Sequence, residues 1–135
     1  MEQKSISYLK KQRRNSVQVL YRTCLLEENV IKVKQEMLDN FLIENLDSQV
    51  NEYITIILDS FDDLKETIIP LIGRTWSWER LPHVIKAILI NGVYEITNNI
   101  APKAVVISES IDMVREFLPS WDTNFINALL DQVNL

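Results

Sequence analysis

One cysteine (Cys24), one histidine (His83) and two glycines (Gly73 and Gly92) are all that 135 residues hold of these types. Each scarcity closes off a chemistry. A lone cysteine excludes an intramolecular disulfide framework and suits a reducing compartment. With one His and one Cys, a zinc cluster would draw mostly on carboxylates, which zinc rarely does. No metal and no other cofactor is expected. Two glycines are too few for glycine-rich phosphate loops or a series of tight hairpins, but they suit helices joined by short connections. No apolar run approaches the ~20 residues that span a bilayer, and the polar opening Met1-Glu2-Gln3-Lys4-Ser5 is unlike a signal peptide. A cytoplasmic protein without membrane contact is expected. One domain over residues 1–135 can bury roughly 68% of its unfolded surface, enough for a core without staples.

The net charge is −5, which on its face argues against a nucleic-acid partner, since phosphate binding draws on Lys and Arg. Its distribution says something else. Residues 1–22 hold six cations (Lys4, Lys10, Lys11, Arg13, Arg14 and Arg22) against one acid, Glu2, a balance of +5. The remainder carries eight cations against eighteen acids, a balance of −10. A basic amino-terminal arm on an acidic body fits a nucleic-acid-binding protein, and it equally fits a solvated helix face.

Apolar residues recur with a period near 3.6 along nearly the whole chain, which predicts an all-α bundle. The first helix runs from about Leu9 to Glu27, with Val17, Leu20, Tyr21 and Cys24 on one face. An earlier start would carry Arg13 into the arc of Leu9, Val17 and Leu20. The later start leaves the basic residues in the first turn, free of core packing. A second helix is expected from about Val30 to Leu46, with Val33, Met37, Leu38, Phe41 and Leu42 inward. Asp47 or Ser48 can cap a third, which carries Val50, Tyr53, Ile54, Ile57, Leu58, Phe61 and Leu64 and ends near Pro70. These make an amino-terminal group of helices over about 9–70, with a carboxy-terminal group over about 71–135. Leu71–Leu81 has room for a short helix. Pro82 suits the first turn of the next, where its missing N–H costs nothing. That helix, Pro82–Asn98, is apolar over most of its surface and belongs at the centre. A fifth spans about Lys103–Leu118, and Asp122 or Thr123 caps the last, with Phe125, Ile126, Leu129, Leu130 and Val133 buried.

Catalytic constellations are thin. Asp59 with Asp63, and Glu109 with Asp112 and Glu116, stand at helical spacing, yet carboxylates so placed are usually a helix's wet face rather than an acid–base pair. His83 has no second histidine to share a metal and no evident substrate pocket. Cys24, on an apolar face, reads as a small buried hydrophobe rather than a nucleophile. Trp76 suits a core or a junction, whereas Trp121 divides evenly between packing and stacking on unpaired bases. No enzyme is expected.

Four segments resemble the NusB family. Lys10-Lys11-Gln12-Arg13-Arg14-Asn15-Ser16-Val17-Gln18-Val19-Leu20-Tyr21 is similar to its arginine-rich opening. Trp76-Ser77-Trp78-Glu79-Arg80-Leu81, followed by Lys86-Ala87-Ile88-Leu89 and Tyr94-Glu95-Ile96, is similar to its central signature. Pro102 to Val114 resembles its Pro-x-x-Val-x-Ile-Asn-Glu-Ala-Val-Glu-Leu-Ala segment, and Phe125-Ile126-Asn127-Ala128-Leu129-Leu130-Asp131 its closing Phe-Val-Asn-Gly-Val-Leu-Asp. Each motif alone is weak. Four in the correct order and spacing are strong evidence of the fold.

The resemblance implies a NusB-like all-α bundle of about six to seven helices. It implies a transcription antitermination or termination factor that binds boxA-type single-stranded RNA together with the small-subunit ribosomal protein NusE. Lys10, Lys11 and Arg13 match the basic opening that contacts RNA, Lys86 the basic residue of the central signature, and Phe125 and Asn127 the closing motif. With Arg14 these are the candidate RNA-binding residues, and Tyr21, Trp78 and Ile85 are candidates for the partner-facing side. A second copy of the chain is a further candidate partner. Two alternatives stand beside this: an adaptor that kept the scaffold and lost RNA recognition, and a regulatory domain acting with an rRNA methyltransferase. The chain departs from the family at Arg14, Ile85, Ile90, Ser108 and Ala128. At Ile90 an arginine is usual, and losing one phosphate-contacting cation flattens the salt dependence of binding by roughly one unit.

Overall fold

Ser5 accepts a hydrogen bond from the backbone N–H of Tyr8 (3.1 Å) and so opens the first helix, α1 (Ile6–Leu25). The computed structural model describes residues 4–40, 42–43 and 46–134, and among them it contains seven α-helices and no strand. After α1 come α2 (Val30–Leu38), α3 (Ser48–Asp59) and α4 (Phe61–Ile68), then single 3-10 turns at Ile69–Leu71 and Trp78–Arg80. The chain closes with α5 (His83–Thr97), α6 (Lys103–Phe117) and α7 (Thr123–Asp131). Asp47 and Asp122 cap α3 and α7 through their side chains, as expected.

Helix α5 is the axis of the bundle. Eleven of its fifteen residues are buried, an unbroken run from Ile85 to Val93 plus Glu95 and Ile96. A helix apolar all round must be enclosed, and α5 packs most extensively against α1, next against α6, and also against α4 and α7. Gly92 lets α7 approach, since a Cβ there would lie 3.1 Å from the buried Leu130 side chain.

Besides the earlier start of α1, two boundaries differ from the periodicity. Helix α2 ends at Leu38, not near Leu46, because Asn40 turns into the left-handed region (φ 53°) that Asn tolerates and other side chains resist. Phe41, expected on its inner face, lies outside the described residues, while Leu42 packs against the core. The expected third helix is two, broken at Ser60 (φ −100°, ψ 6°). A one-residue break leaves the apolar spacing almost intact, so Phe61 and Leu64 still reach the interior.

At the end of α1, Glu27 and Glu28 both take positive φ (55° and 64°). The Glu28 carboxylate holds this bend, accepting from Lys65 Nζ and from Trp78 Nε1 at 2.8 Å each. Lys65 and Trp78 thereby tie the end of α1 to α4 and to the turn before α5.

Candidate nucleic-acid interface

Helix α1 carries the basic segment along the side facing α6. Arg13 lies within the helix on the face of Val17 and Leu20, and the expectation that it stands free of the core is corrected. Its side chain is 4% exposed, and its guanidinium donates to Glu95 on α5 through Nε (2.7 Å) and a terminal nitrogen (2.8 Å). Burial alone would lower the Arg13 pKa. The paired Glu95 carboxylate outweighs it, so the guanidinium is held above its ordinary range. Asn91 also donates to Glu95 (2.8 Å), completing a polar knot at the centre of the α1–α5 contact. The hydroxyls of Ser16, Ser110 and Tyr53 are likewise buried.

The other basic residues remain at the surface, but two are already engaged. Lys10 Nζ lies 3.3 Å from Glu109, and the half-exposed Arg14 guanidinium grips Glu116 with two bonds of 2.8 and 2.9 Å. The bonds from Arg14 hold the Glu116 carboxyl below its usual range. Lys11 is exposed and has no ion pair among the described residues. The expected continuous positive patch is therefore corrected to a basic edge interleaved with α6 acids. Glu109 and Glu116, two of the acids read as a wet face, are the partners of that edge.

Beside it, α1, the start of α5 and the end of α6 enclose a groove of about 570 Å³. Val17, Tyr21, Val84, Phe117 and Leu118 form apolar walls, with Arg14 and Gln18 at the rim. Tyr21 is 40% exposed and Phe117 42%, large aromatic surfaces to leave uncovered on a helical bundle. The Arg14 guanidinium also stands 5.3 Å from the Phe117 ring centre, so one side chain serves both the ion pair and the groove. Phe117 was not singled out in the sequence, although its aromatic side chain at the end of an amphipathic helix was a signal.

The remaining expected site residues fall elsewhere. Lys86 is buried, its ammonium 5.3 Å from the Trp78 ring centre, with Lys65 Nζ 5.6 Å from the same ring. As an interior cation it offers no surface to RNA, which corrects that expectation. Trp78 and Ile85 are core residues, so their expected partner-facing position is also corrected. Both follow from the enclosure of α5 and the turn before it. Phe125 is half-buried against Trp121, with ring centres 6.0 Å apart, and Asn127 is exposed on α7. Trp76 meets Trp121 at 4.8 Å and carries the Arg80 guanidinium at 5.0 Å, so these indoles chiefly join the pre-α5 turn to α7.

His83 is exposed in the first turn of α5. Cys24 is buried, and desolvation pushes its thiol up to about 12, away from nucleophilic chemistry. Among the described residues, no group of three or more His, Cys, Asp or Glu could hold a metal ion. No helix there is long and apolar enough to cross a membrane.

An α5-centred bundle with a charged edge beside an aromatic groove defines an all-α binding scaffold. The chain matches the NusB family over residues 10–134 and belongs to it. It is 32% identical to the transcription antitermination protein NusB of Campylobacter jejuni, over 88% of this chain and 89% of that one. The protein of the same name from Macrococcus caseolyticus is 24% identical, over 90% of this chain and 92% of its own. The solved structure of T. maritima NusB superposes with a TM-score of 0.74 at 20% identity, covering 92% of this chain and 88% of that one. That likeness is one of fold.

Proposed function

We propose that this protein is a transcription antitermination factor that binds boxA-type single-stranded RNA together with the small-subunit ribosomal protein NusE, acting by recognition and without catalysis. The family and the names of its relatives support the process. One local observation carries the RNA reading: Arg14, on the same exposed helix edge as Lys10 and Lys11, stands at the rim of a groove walled by Tyr21 and Phe117. Phosphates need the first and unpaired bases the second, whereas duplex bases have their faces stacked away. Asn127, exposed on α7, is a further residue that the family resemblance associates with RNA.

The acidic body and the paired state of Lys10 and Arg14 imply weak binding by the isolated chain. A basic partner completes the site by adding cations the chain lacks. The test is a titration of boxA-like single-stranded RNA and its duplex, with and without the ribosomal protein. Tighter single-strand binding with the partner supports the proposal, by at least about tenfold, or 1.4 kcal/mol. A partner that binds without altering RNA affinity favours the adaptor reading, to which the already neutralised α1 cations lend support.

A further inference from the structure

Resting on the RNA-binding reading above, we infer that Glu109 and Glu116 of α6 act as tethered stand-ins for RNA phosphate, occupying the α1 cations until an anionic strand displaces them. Glu109 and Glu116 are seven positions apart and share one face of α6. Lys10 and Arg14, four apart, share the opposing face of α1. The match is one of sign, and the long side chains bridge axial separations of roughly 6 Å on α1 and roughly 10 Å on α6. Arg14 holds Glu116 fork on fork, the geometry a guanidinium also uses for phosphate. Both side chains of that pair are about half exposed, at 50% and 51%, while in the longer Lys10–Glu109 pair the lysine is 55% exposed and the acid 22%. Pairs so placed are weak and screened, so another anion can replace the carboxylate. Arg13 on the same helix cannot exchange, because its pair with Glu95 of α5 is buried, and it fixes the α1 backbone while its neighbours do.

An approaching strand thus meets Lys11 directly and gains Lys10 and Arg14 only by competing with two carboxylates held at close range. An isolated anion competes poorly. A chain of phosphates competes well, because once one is seated the next is already concentrated nearby. The carboxylates set a threshold for binding. They also flatten its salt dependence, since each one released takes up cations as the RNA sheds them.

The experiment is a fluorescence-anisotropy titration of the full chain with boxA-like single-stranded RNA, with and without the ribosomal protein, between about 50 and 200 mM salt. Wild type is compared with a Glu109→Gln, Glu116→Gln double variant. The control is Glu52→Gln, Glu66→Gln, which changes net charge equally at exposed residues without ion pairs among the described residues. The α6 variant should bind roughly tenfold tighter, with a salt slope steeper by about one unit, and the control should stay within about twofold. Equal affinity for the α6 variant and wild type would overturn the inference, and so would an equal gain in the control, which would reveal net charge alone. If wild type binds no RNA even with the partner, the RNA reading fails and the inference falls with it.

Discussion

Arg13 and Glu95, 82 positions apart, meet in a two-pronged ion pair almost closed to water, with the buried Asn91 amide on the same carboxylate. This contact converts a residue of the basic segment into a structural pin between α1 and α5. It also divides the segment by function, with Arg13 inside and Lys10, Lys11 and Arg14 outside.

Removing one member of that pair strands the other in the core. Glu95→Ala should therefore destabilise the protein by about 3–5 kcal/mol. Replacing both partners, as in Arg13→Met with Glu95→Leu, should recover most of the loss, because no buried charge is left alone. Urea denaturation of the three proteins checks this. A double variant as unstable as the single one would show that the pair stabilises in its own right.

The surface cations should behave oppositely. Exposed ion pairs such as Arg14–Glu116 contribute only about 0.2–1 kcal/mol. Reversing Lys10, Lys11 and Arg14 to Glu should thus abolish RNA binding while changing stability by no more than about 1–3 kcal/mol in total. Retained RNA affinity, read beside a thermal melt of the same sample, would show that this edge is only a solvated face.

Much of the fold was legible because it rests on composition. The mostly apolar segment Pro82–Asn98 identified α5 as the buried axis, and Pro82 and Asp122 marked helix starts that recur within a residue or two. The site was less legible. Arg13 stands four residues before Val17 on the apolar face whether α1 begins at Ile6 or near Leu9, and its burial depends on Glu95, a partner 82 positions away that hydrophobic spacing does not register. Lys86 reads as a surface cation by type, yet its tolerance of burial depends on Trp78 and on Glu28, which is distant in sequence. The α1–α6 ion pairs join residues about a hundred positions apart, so only the packing of α5 between them brings their faces into register.

Glu28 gives the fold an acid limit. Burial would raise its pKa, but the bonds from Lys65 and Trp78 outweigh that and hold the carboxyl below its usual range. A carboxyl whose folded pKa is depressed contributes stability that is fully present above its unfolded value of about 4.3 and is lost as pH falls through the folded value. Glu36, held down by Arg22, acts in the same direction. Stability should decline below about pH 4.5, and Glu28→Gln should flatten that decline while costing about 1–3 kcal/mol at neutral pH. Melting temperatures of both proteins across this window check it. Parallel curves would mean that Glu28 is not a principal contributor.

The groove makes the most discriminating prediction. Tyr21 and Phe117 are large, half-exposed rings whose removal leaves α5 and its packing intact, so alanine at either should cost little stability. A base stacked on an aromatic ring is worth roughly 1–3 kcal/mol. Tyr21→Ala and Phe117→Ala should therefore each weaken single-stranded RNA binding by about fivefold to a hundredfold, with the salt slope nearly unchanged because no phosphate contact is lost. Charge reversal at Lys10, Lys11 and Arg14 should do the contrary and lower the slope. The two signatures separate base recognition from phosphate attraction on one helix. If both alanine variants bind RNA as wild type does but lose the ribosomal protein, the groove receives that partner and the RNA follows the charged edge alone.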